Sequence, residues 1–286
     1  MKLRKPEWLK IKLSGGKEYV QLKELVERQK VHTICTSGKC PNIGECWSKG
    51  AATFMIGGDI CTRSCKFCAT KTGKPLPLSP QEPNAIAESV QSMNLRHAVI
   101  TSVDRDDLPD GGAQHWHDTI RAIREKNPNV IIEVLIPDFQ GNTSHLDIVI
   151  DAKPNIISHN IETVKRITPL LRTKAKYDVS LAVLKHISES GIMTKSGLMV
   201  GVGETKEEIL ETIKDLYDNG CRMITIGQYL QPTNDNIDVQ RYVHPDEFAE
   251  YKNYALEIGF TQAESGPLVR SSYMAENSFE NIKDKL

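Results

Sequence analysis

The chain has 286 residues, with 36 Lys and Arg against 37 Asp and Glu and a formal net charge of −1. That length suits one large α/β domain with extensions and a substantial buried core. The balanced charge offers no basic field for a nucleic-acid partner, no apolar run is long enough for a membrane span, and the basic N-terminus lacks an apolar signal region, so a cytoplasmic protein is expected.

Residues 1–50 hold one short amphipathic helix, over 20–31, with Leu22, Leu25 and Val26 on one side. Cys35, Cys40 and Cys46 follow, spaced C-x4-C-x5-C, in a stretch that Gly38, Pro41 and Gly44 are expected to keep looping. Residues 53–60 read as a strand that delivers the chain straight into Cys61, Cys65 and Cys68, spaced C-x3-C-x2-C. After a proline-rich crossing, helices and strands alternate. Helices are expected over 84–93, up to 126, over 144–152, over 178–189 with Asp178 as cap, and over 205–219 with Thr205 as cap and Glu208 three positions on. Strands are expected over 97–103, 130–135, 155–159, 193–200 and 222–227. A helix over 245–258 and an extended stretch over 262–269 lead to Arg270-Ser271-Ser272-Tyr273 and a polar tail expected to fray. Some six β-α units imply a parallel sheet wound with helices, and a partial (β/α)6 TIM-like barrel is preferred to a flat doubly wound sheet.

Six of the seven cysteines lie in the first quarter of the chain, a pattern of metal ligands or catalytic thiols more than of disulfides in a reducing compartment. Three thiolates are one short of a closed zinc site or a fully protein-ligated cubane. A cubane held by three cysteines keeps one iron free for another ligand. A pair of structural zinc sites is the competing reading, but neither trio has a fourth cysteine or histidine at finger-like spacing. Cys221, alone beside Gly220, reads as a buried core residue. Gly201-Val202-Gly203-Glu204 reads as a tight βα turn rather than a phosphate loop, because a third glycine is missing. The run Asp104-Arg105-Asp106-Asp107 reads either as a hydrogen-bonded network or as a solvated loop.

The C-x3-C-x2-C spacing is similar to that of the radical S-adenosylmethionine (SAM) superfamily. The two trios together with Arg270-Ser271-Ser272-Tyr273 resemble the lipoyl synthase family within it. So do Arg4-Lys5-Pro6-Glu7-Trp8, the 101–108 stretch beginning Thr101-Ser102-Val103, His159-Asn160-Ile161-Glu162, the 227–232 stretch and Val239-Gln240-Arg241-Tyr242. The resemblance covers essentially the whole chain. It implies a [4Fe–4S] cluster on Cys61, Cys65 and Cys68 whose free iron chelates SAM and cleaves it to a 5′-deoxyadenosyl radical. It implies an auxiliary [4Fe–4S] cluster on Cys35, Cys40 and Cys46, with a serine as fourth ligand. By position that serine is Ser272, with Ser271 as the nearby competitor. The implied reaction is sulfur insertion at C6 and C8 of octanoyl-lysine, a sulfurtransferase activity that consumes the auxiliary cluster. Asn160 and Glu162 resemble SAM-contacting positions, Glu162 for the ribose hydroxyls, and Arg172 is assigned to the SAM carboxylate. Implied partners are octanoylated lipoyl carrier domains, such as 2-oxoacid dehydrogenase acyltransferase subunits and the glycine-cleavage carrier protein, and a reductant such as ferredoxin or flavodoxin.

Sulfur transfer requires both clusters to face the substrate, so the N- and C-terminal extensions are expected to cover the barrel mouth. The corresponding boundaries are 1–50 for the auxiliary-cluster segment, 51–260 for the barrel and 261–286 for the C-terminal extension. Two other classes compete: another sulfur-inserting radical SAM enzyme, and a non-catalytic iron–sulfur scaffold or electron carrier. Pairing of the pre-barrel trio with Arg-Ser-Ser-Tyr disfavours the first, and a barrel of this size is more than a carrier needs.

Overall fold

Short apolar strands alternating with amphipathic helices build two α/β units in the computed structural model, which describes residues 3–10, 16–29, 31–48 and 51–272. Tyr273 and the polar tail lie outside the described residues. One unit comprises residues 11–63 and 69–156, the other residues 1–10, 64–68 and 157–286.

The first unit runs α1 (Lys17–Gln29), β1 (His32–Thr33), α2 (Ile34–Ser37), α3 (Ile43–Ser48), β2 (Thr53–Ile56), β3 (Ile60–Cys61), β4 (Lys71–Thr72), α4 (Glu82–Ser92), β5 (His97–Ser102), α5 (Ala113–Lys126), β6 (Ile131–Leu135) and α6 (Thr143–Asp151). β2 runs parallel to β5 with Thr53 opposite Val99, and β5 parallel to β6 with His97 opposite Ile131. β1 pairs antiparallel on the outer edge of β2. Phe54, Ile100 and Ile132 are fully buried, as expected where helices cover a parallel sheet.

Two expectations are corrected here. The strand expected over 53–60 stops at Ile56, because Gly57 and Gly58 take φ of 81° and 94° and turn the chain out of the ladder. Cys61 therefore sits not at the end of the barrel strand but in the two-residue β3, paired with β4. The first cysteine trio is also less looped than expected. Cys35 lies in α2, whose N-cap Thr33 accepts from Thr36 N–H, and Cys46 lies in α3.

The unit boundary falls inside β7 (Ile156–Ser158). The second unit continues through α7 (Thr168–Leu171), α8 (Tyr177–Glu189), β8 (Met193–Val200), α9 (Lys206–Asp218), β9 (Met223–Gln228), α10 (Pro245–Ile258) and β10 (Gln262–Gly266). β8, β9 and β10 are parallel, with Lys195 opposite Met223 and Met223 opposite Gln262. α9 buries Ile209, Ile213 and Leu216, spaced four and three apart on one face, against Leu198, Ile224 and Ile226. Cys221 belongs to this core, and burial pushes its thiol up to about 12.

Asp178 does not cap α8. Lys176 holds the cap position, and Asp178 lies in the first turn, where its charge complements the helix dipole and pairs with Lys165 at 3.0 Å. The stretch expected extended over 262–269 leaves the sheet at Gly266, where Val269 N–H turns back to Gly266 O at 3.1 Å. Gly201 and Gly203, at φ of 101° and 110°, form the expected βα turn. Among the described residues no helix is long and apolar enough to cross a membrane.

Thr205 and Glu208 form a reciprocal capping box at the start of α9. Thr205→Ala should lower unfolding stability by about 1 kcal/mol, read as a smaller urea midpoint at unchanged slope.

Candidate functional site

The first thiol trio is gathered within one unit. Cys40 N–H bonds to Cys35 O at 3.0 Å and Cys46 N–H to Asn42 O at 2.9 Å, so two helical turns and their connection hold the three thiols on a short arc. All three belong to one small apolar cluster with Leu22, Trp47 and Ala52, flanked by Tyr19 and Met93. Burial pushes the Cys35 thiol above its ordinary value. The Trp47 indole N–H is buried in the same cluster, directed at the Cys35 thiol. Three soft sulfur donors in one apolar cluster, with a buried N–H directed at one of them, fit an inorganic group held through thiolates. Among the described residues no three His, Cys, Asp or Glu side chains are grouped to hold a single metal ion.

The second trio straddles the unit boundary, which falls between Arg63 and Ser64. In the first unit, Cys61 Sγ accepts from Arg63 N–H at 3.4 Å and Asp104 N–H at 3.3 Å. The Arg63 side chain is almost fully buried. It donates from Nε to Asp106 Oδ2 at 2.8 Å and from Nη2 to Asp106 Oδ1 and Asp138 Oδ1, each at 2.8 Å, with Asp104 at 3.3 Å. Asp104 and Asp106 follow β5 and Asp138 follows β6, so the run after β5 is a network and not a solvated loop. These carboxylates hold the Arg63 guanidinium above its ordinary pKa despite its burial. A cavity of about 300 Å³ lies beside the network, walled by Asp106, Leu108, Phe139, Gln140 and His145 among others. Phe139 and Gln140 there take φ of 44° and 55°, two consecutive non-glycine residues in the left-handed region.

In the second unit, Lys66 N–H bonds to Leu171 O at 2.8 Å and Ile237 N–H to Lys66 O at 3.0 Å. Asn236 Nδ2 donates to Cys68 O at 2.9 Å. Cys65 and Cys68 are thus carried on a segment pinned by α7 and by the loop after β9.

Asn160, Glu162 and Arg172 come together in the second unit, past the end of β7. Asn160 Nδ2 donates to Glu162 Oε1 at 3.0 Å. Arg172 Nη1 donates to Asn160 O at 3.2 Å and Ser180 Oγ at 3.1 Å, while its Nε is buried without a partner. Glu162 is stitched to β8 through Glu162 N–H to Gly197 O at 3.0 Å and Met199 N–H to Glu162 O at 2.8 Å. Its φ of 68° is a strained value for a non-glycine residue, of order 1–3 kcal/mol, and such strain gathers at ligand sites. Desolvation pushes the Glu162 carboxyl above its ordinary value, against the opposing pull of Arg172 and Asn160. An orphaned guanidinium N–H and a desolvated carboxyl at one strand end suit a ligand that carries both a carboxylate and hydroxyls. Ser271 joins this group by accepting from Asn160 Nδ2 at 2.9 Å, and Ser272 follows it in the chain.

A model of the radical SAM superfamily matches residues 55–216, more than half of the chain. The lipoyl synthase of Parabacteroides distasonis is 61% identical over 274 residues, covering 96% of this chain and 98% of that one. The lipoyl synthase of Treponema denticola is 58% identical, covering 96% of this chain and 94% of that one. The chain belongs to the lipoyl synthase family. It is a sulfurtransferase of the radical SAM superfamily, which works with a [4Fe–4S] cluster and SAM. Among solved structures, Streptococcus suis SuiB bound to S-adenosylmethionine aligns with a TM-score of 0.57 at 12% identity, over 76% of this chain; the chain spans about half the length of SuiB, at 51%. Methylornithine synthase aligns with a TM-score of 0.52 at 14% identity, over 74% of this chain and 71% of that one. These likenesses carry the fold, the α/β partial barrel expected from the alternation of strands and helices.

The place of Arg63 and Asp138 in the carboxylate network and the Ser271 contact are features that the spacing of residues did not reveal. The raised Glu162 value has a consequence for stability. An acid held protonated in the folded state but ionised in the unfolded one loses stability as pH rises above its unfolded value, here 4.5. Glu162→Gln removes that loss, so its thermal midpoint relative to wild type should rise as pH increases above that value in the ligand-free protein. A difference that stays flat with pH would contradict the assignment.

Proposed function

We propose that this chain inserts sulfur at C6 and C8 of octanoyl-lysine on a lipoyl carrier domain, using two [4Fe–4S] clusters, of which the one on Cys35, Cys40, Cys46 and Ser272 is the sulfur source. The observation that carries this is the trio Cys35, Cys40 and Cys46, gathered in its own apolar cluster ahead of the SAM motif, in a chain 61% identical to a lipoyl synthase.

The two carbons are saturated, so no acid, base or nucleophile of the protein can open their C–H bonds, and the SAM-bound cluster supplies that step when present. The protein's part is to hold and orient. Cys61, Cys65 and Cys68 offer three thiolates and leave one coordination position open. Arg172 Nε, buried and unpartnered, takes the SAM carboxylate, and Glu162 takes the ribose hydroxyls. Asn160 fixes the Glu162 carboxyl by donating to it. Thiolate formation at buried Cys35 is costly in the empty protein, so iron loading should release a proton there. Residues 1–50 act as the auxiliary-cluster segment, 51–260 as the barrel and 261–286 as the C-terminal extension. The carrier partners are 2-oxoacid dehydrogenase acyltransferase subunits and the glycine-cleavage carrier protein, and ferredoxin or flavodoxin supplies electrons in the cytoplasm.

Anaerobic reconstitution tests this. Wild type should hold two cubanes by iron and sulfide content, and a Cys35→Ala/Cys40→Ala/Cys46→Ala variant should hold one. That variant should still form 5′-deoxyadenosine from SAM and reductant, and should yield no lipoyl product on an octanoylated carrier domain. Lipoyl product from the triple variant would refute the reading.

A further inference from the structure

Two adjacent serines, Ser271 and Ser272, compete for one ligand position, and the contacts of Ser271 point it elsewhere. The Asn160 side-chain amide has two hydrogens. One goes to Glu162 Oε1 at 3.0 Å and the other to Ser271 Oγ at 2.9 Å, 111 positions along the chain. Asn160 is therefore a bridge between the carboxyl at the end of β7 and the segment that follows β10.

Two glycines on neighbouring strands admit that segment. A Cβ on Gly197 of β8 would lie 2.6 Å from Asn160 Oδ1 and 3.1 Å from Ser271 Oγ. A Cβ on Gly227 of β9 would lie 2.1 Å from Val269 O. A larger residue at Gly227 would meet the Val269 backbone, and one at Gly197 would crowd the Asn160 side chain and Ser271 Oγ together. Glu162 itself cannot follow Ser271 if the segment moves, because its backbone is bonded on both sides to β8. The flexible link is the amide of Asn160.

We propose that Ser271 is a positioning residue of the SAM pocket, not a cluster ligand, and that it couples occupancy of the Asn160–Glu162–Arg172 group to ligation at Ser272. Ser271 Oγ is occupied by an amide donor and faces Asn160. Anchoring it there limits where the next residue can direct its side chain. A ligand that orders Glu162 and Asn160 thereby orders the Arg270-Ser271-Ser272 segment, and a ligated Ser272 holds Ser271 on Asn160 in return. Such coupling is reciprocal by thermodynamic necessity. The inference rests on the function proposed above and adds a route by which the SAM pocket and the auxiliary cluster sense one another.

The test uses the full-length protein with both clusters reconstituted anaerobically, in wild type, Ser271→Ala, Ser272→Ala and Gly197→Ala. SAM binding is measured by calorimetry, and the auxiliary cluster is followed by Mössbauer spectra with and without SAM. Ser271→Ala should retain two cubanes and bind SAM about fivefold more weakly, the loss of one neutral hydrogen bond. Its auxiliary-cluster spectrum without SAM should match wild type, and the change that SAM produces in that spectrum should disappear. Ser272→Ala should alter the auxiliary spectrum in the absence of SAM. Gly197→Ala keeps both serines but crowds the contact between Ser271 and Asn160, and should reproduce the Ser271→Ala result even if the serine variant itself folds poorly. Unchanged SAM affinity in Ser271→Ala and Gly197→Ala overturns the inference alone. So does an auxiliary spectrum altered by Ser271→Ala without SAM, since Ser271 would then be the ligand. A wild-type protein that binds no SAM or holds fewer than two cubanes overturns the proposed function first.

Discussion

A single buried guanidinium organises the start of the Cys61–Cys68 loop. Arg63 lies between Cys61 and Cys65, and its side chain is out of reach of water. A charge in that position is tolerable only when it is paired and hydrogen-bonded. Its carboxylates come from the residues after β5 and after β6, so the conformation of the first half of the cysteine loop is set by two other strand ends. The same arrangement reaches the cysteine directly. Asp104 N–H and Arg63 N–H both point at Cys61 Sγ and fix where that sulfur sits. Asp138 does a second job: its Oδ1 also accepts from Gln140 N–H, bracing the Phe139–Gln140 turn in its left-handed conformation. Strain of that kind persists only when the surroundings over-determine it.

What was legible in the chain was what is local. Six strand–helix pairs, the Thr205 capping box and the tight turn at Gly201 and Gly203 are each written within a few residues, and each is found. The two cysteine trios could be picked out for the same reason, since each spacing lies within a dozen residues. Errors arose where a local cue was outweighed by another close by. Gly57 and Gly58 end β2 four residues before Cys61, and an apolar reading of 53–60 passed over them. Asp178 looked like a cap but stands two residues too far in, because the extended residue is Lys176. The Arg63 network was beyond reach for a different reason. Its partners lie 43 and 75 positions away, and an arginine within a cysteine motif carries no mark of what it will bond. The Ser271 contact spans 111 positions and depends on two glycines that have meaning only once β8 and β9 are side by side.

Two glutamates just past strand ends show how the fold separates scaffold from site. Glu204 follows β8, and its two oxygens accept from Gly201 N–H and from Val202 N–H. Its acceptor capacity is directed inward at its own turn, so it stabilises the backbone and has little left for a ligand. Glu162 follows β7 and is treated in the opposite way. Its backbone is fastened to β8 on both sides, yet its carboxyl takes a hydrogen bond only at Oε1, from a side chain that is itself shared with Ser271. The rigid part is the backbone and the adjustable part is the carboxyl. Desolvation leaves that carboxyl with an unmet preference for a donor, which is the condition under which a hydroxyl-bearing ligand gains most from arriving. Arg172 is in the matching state, with Nη1 engaged by Asn160 O and Ser180 Oγ and Nε buried and unmatched. A carboxyl short of donors and a guanidinium short of an acceptor, held near one another but not joined by a hydrogen bond, form a pair that a ligand bearing both hydroxyls and a carboxylate can satisfy together. Neither residue type explains this by itself; it follows from which of their hydrogen bonds the backbone has already claimed.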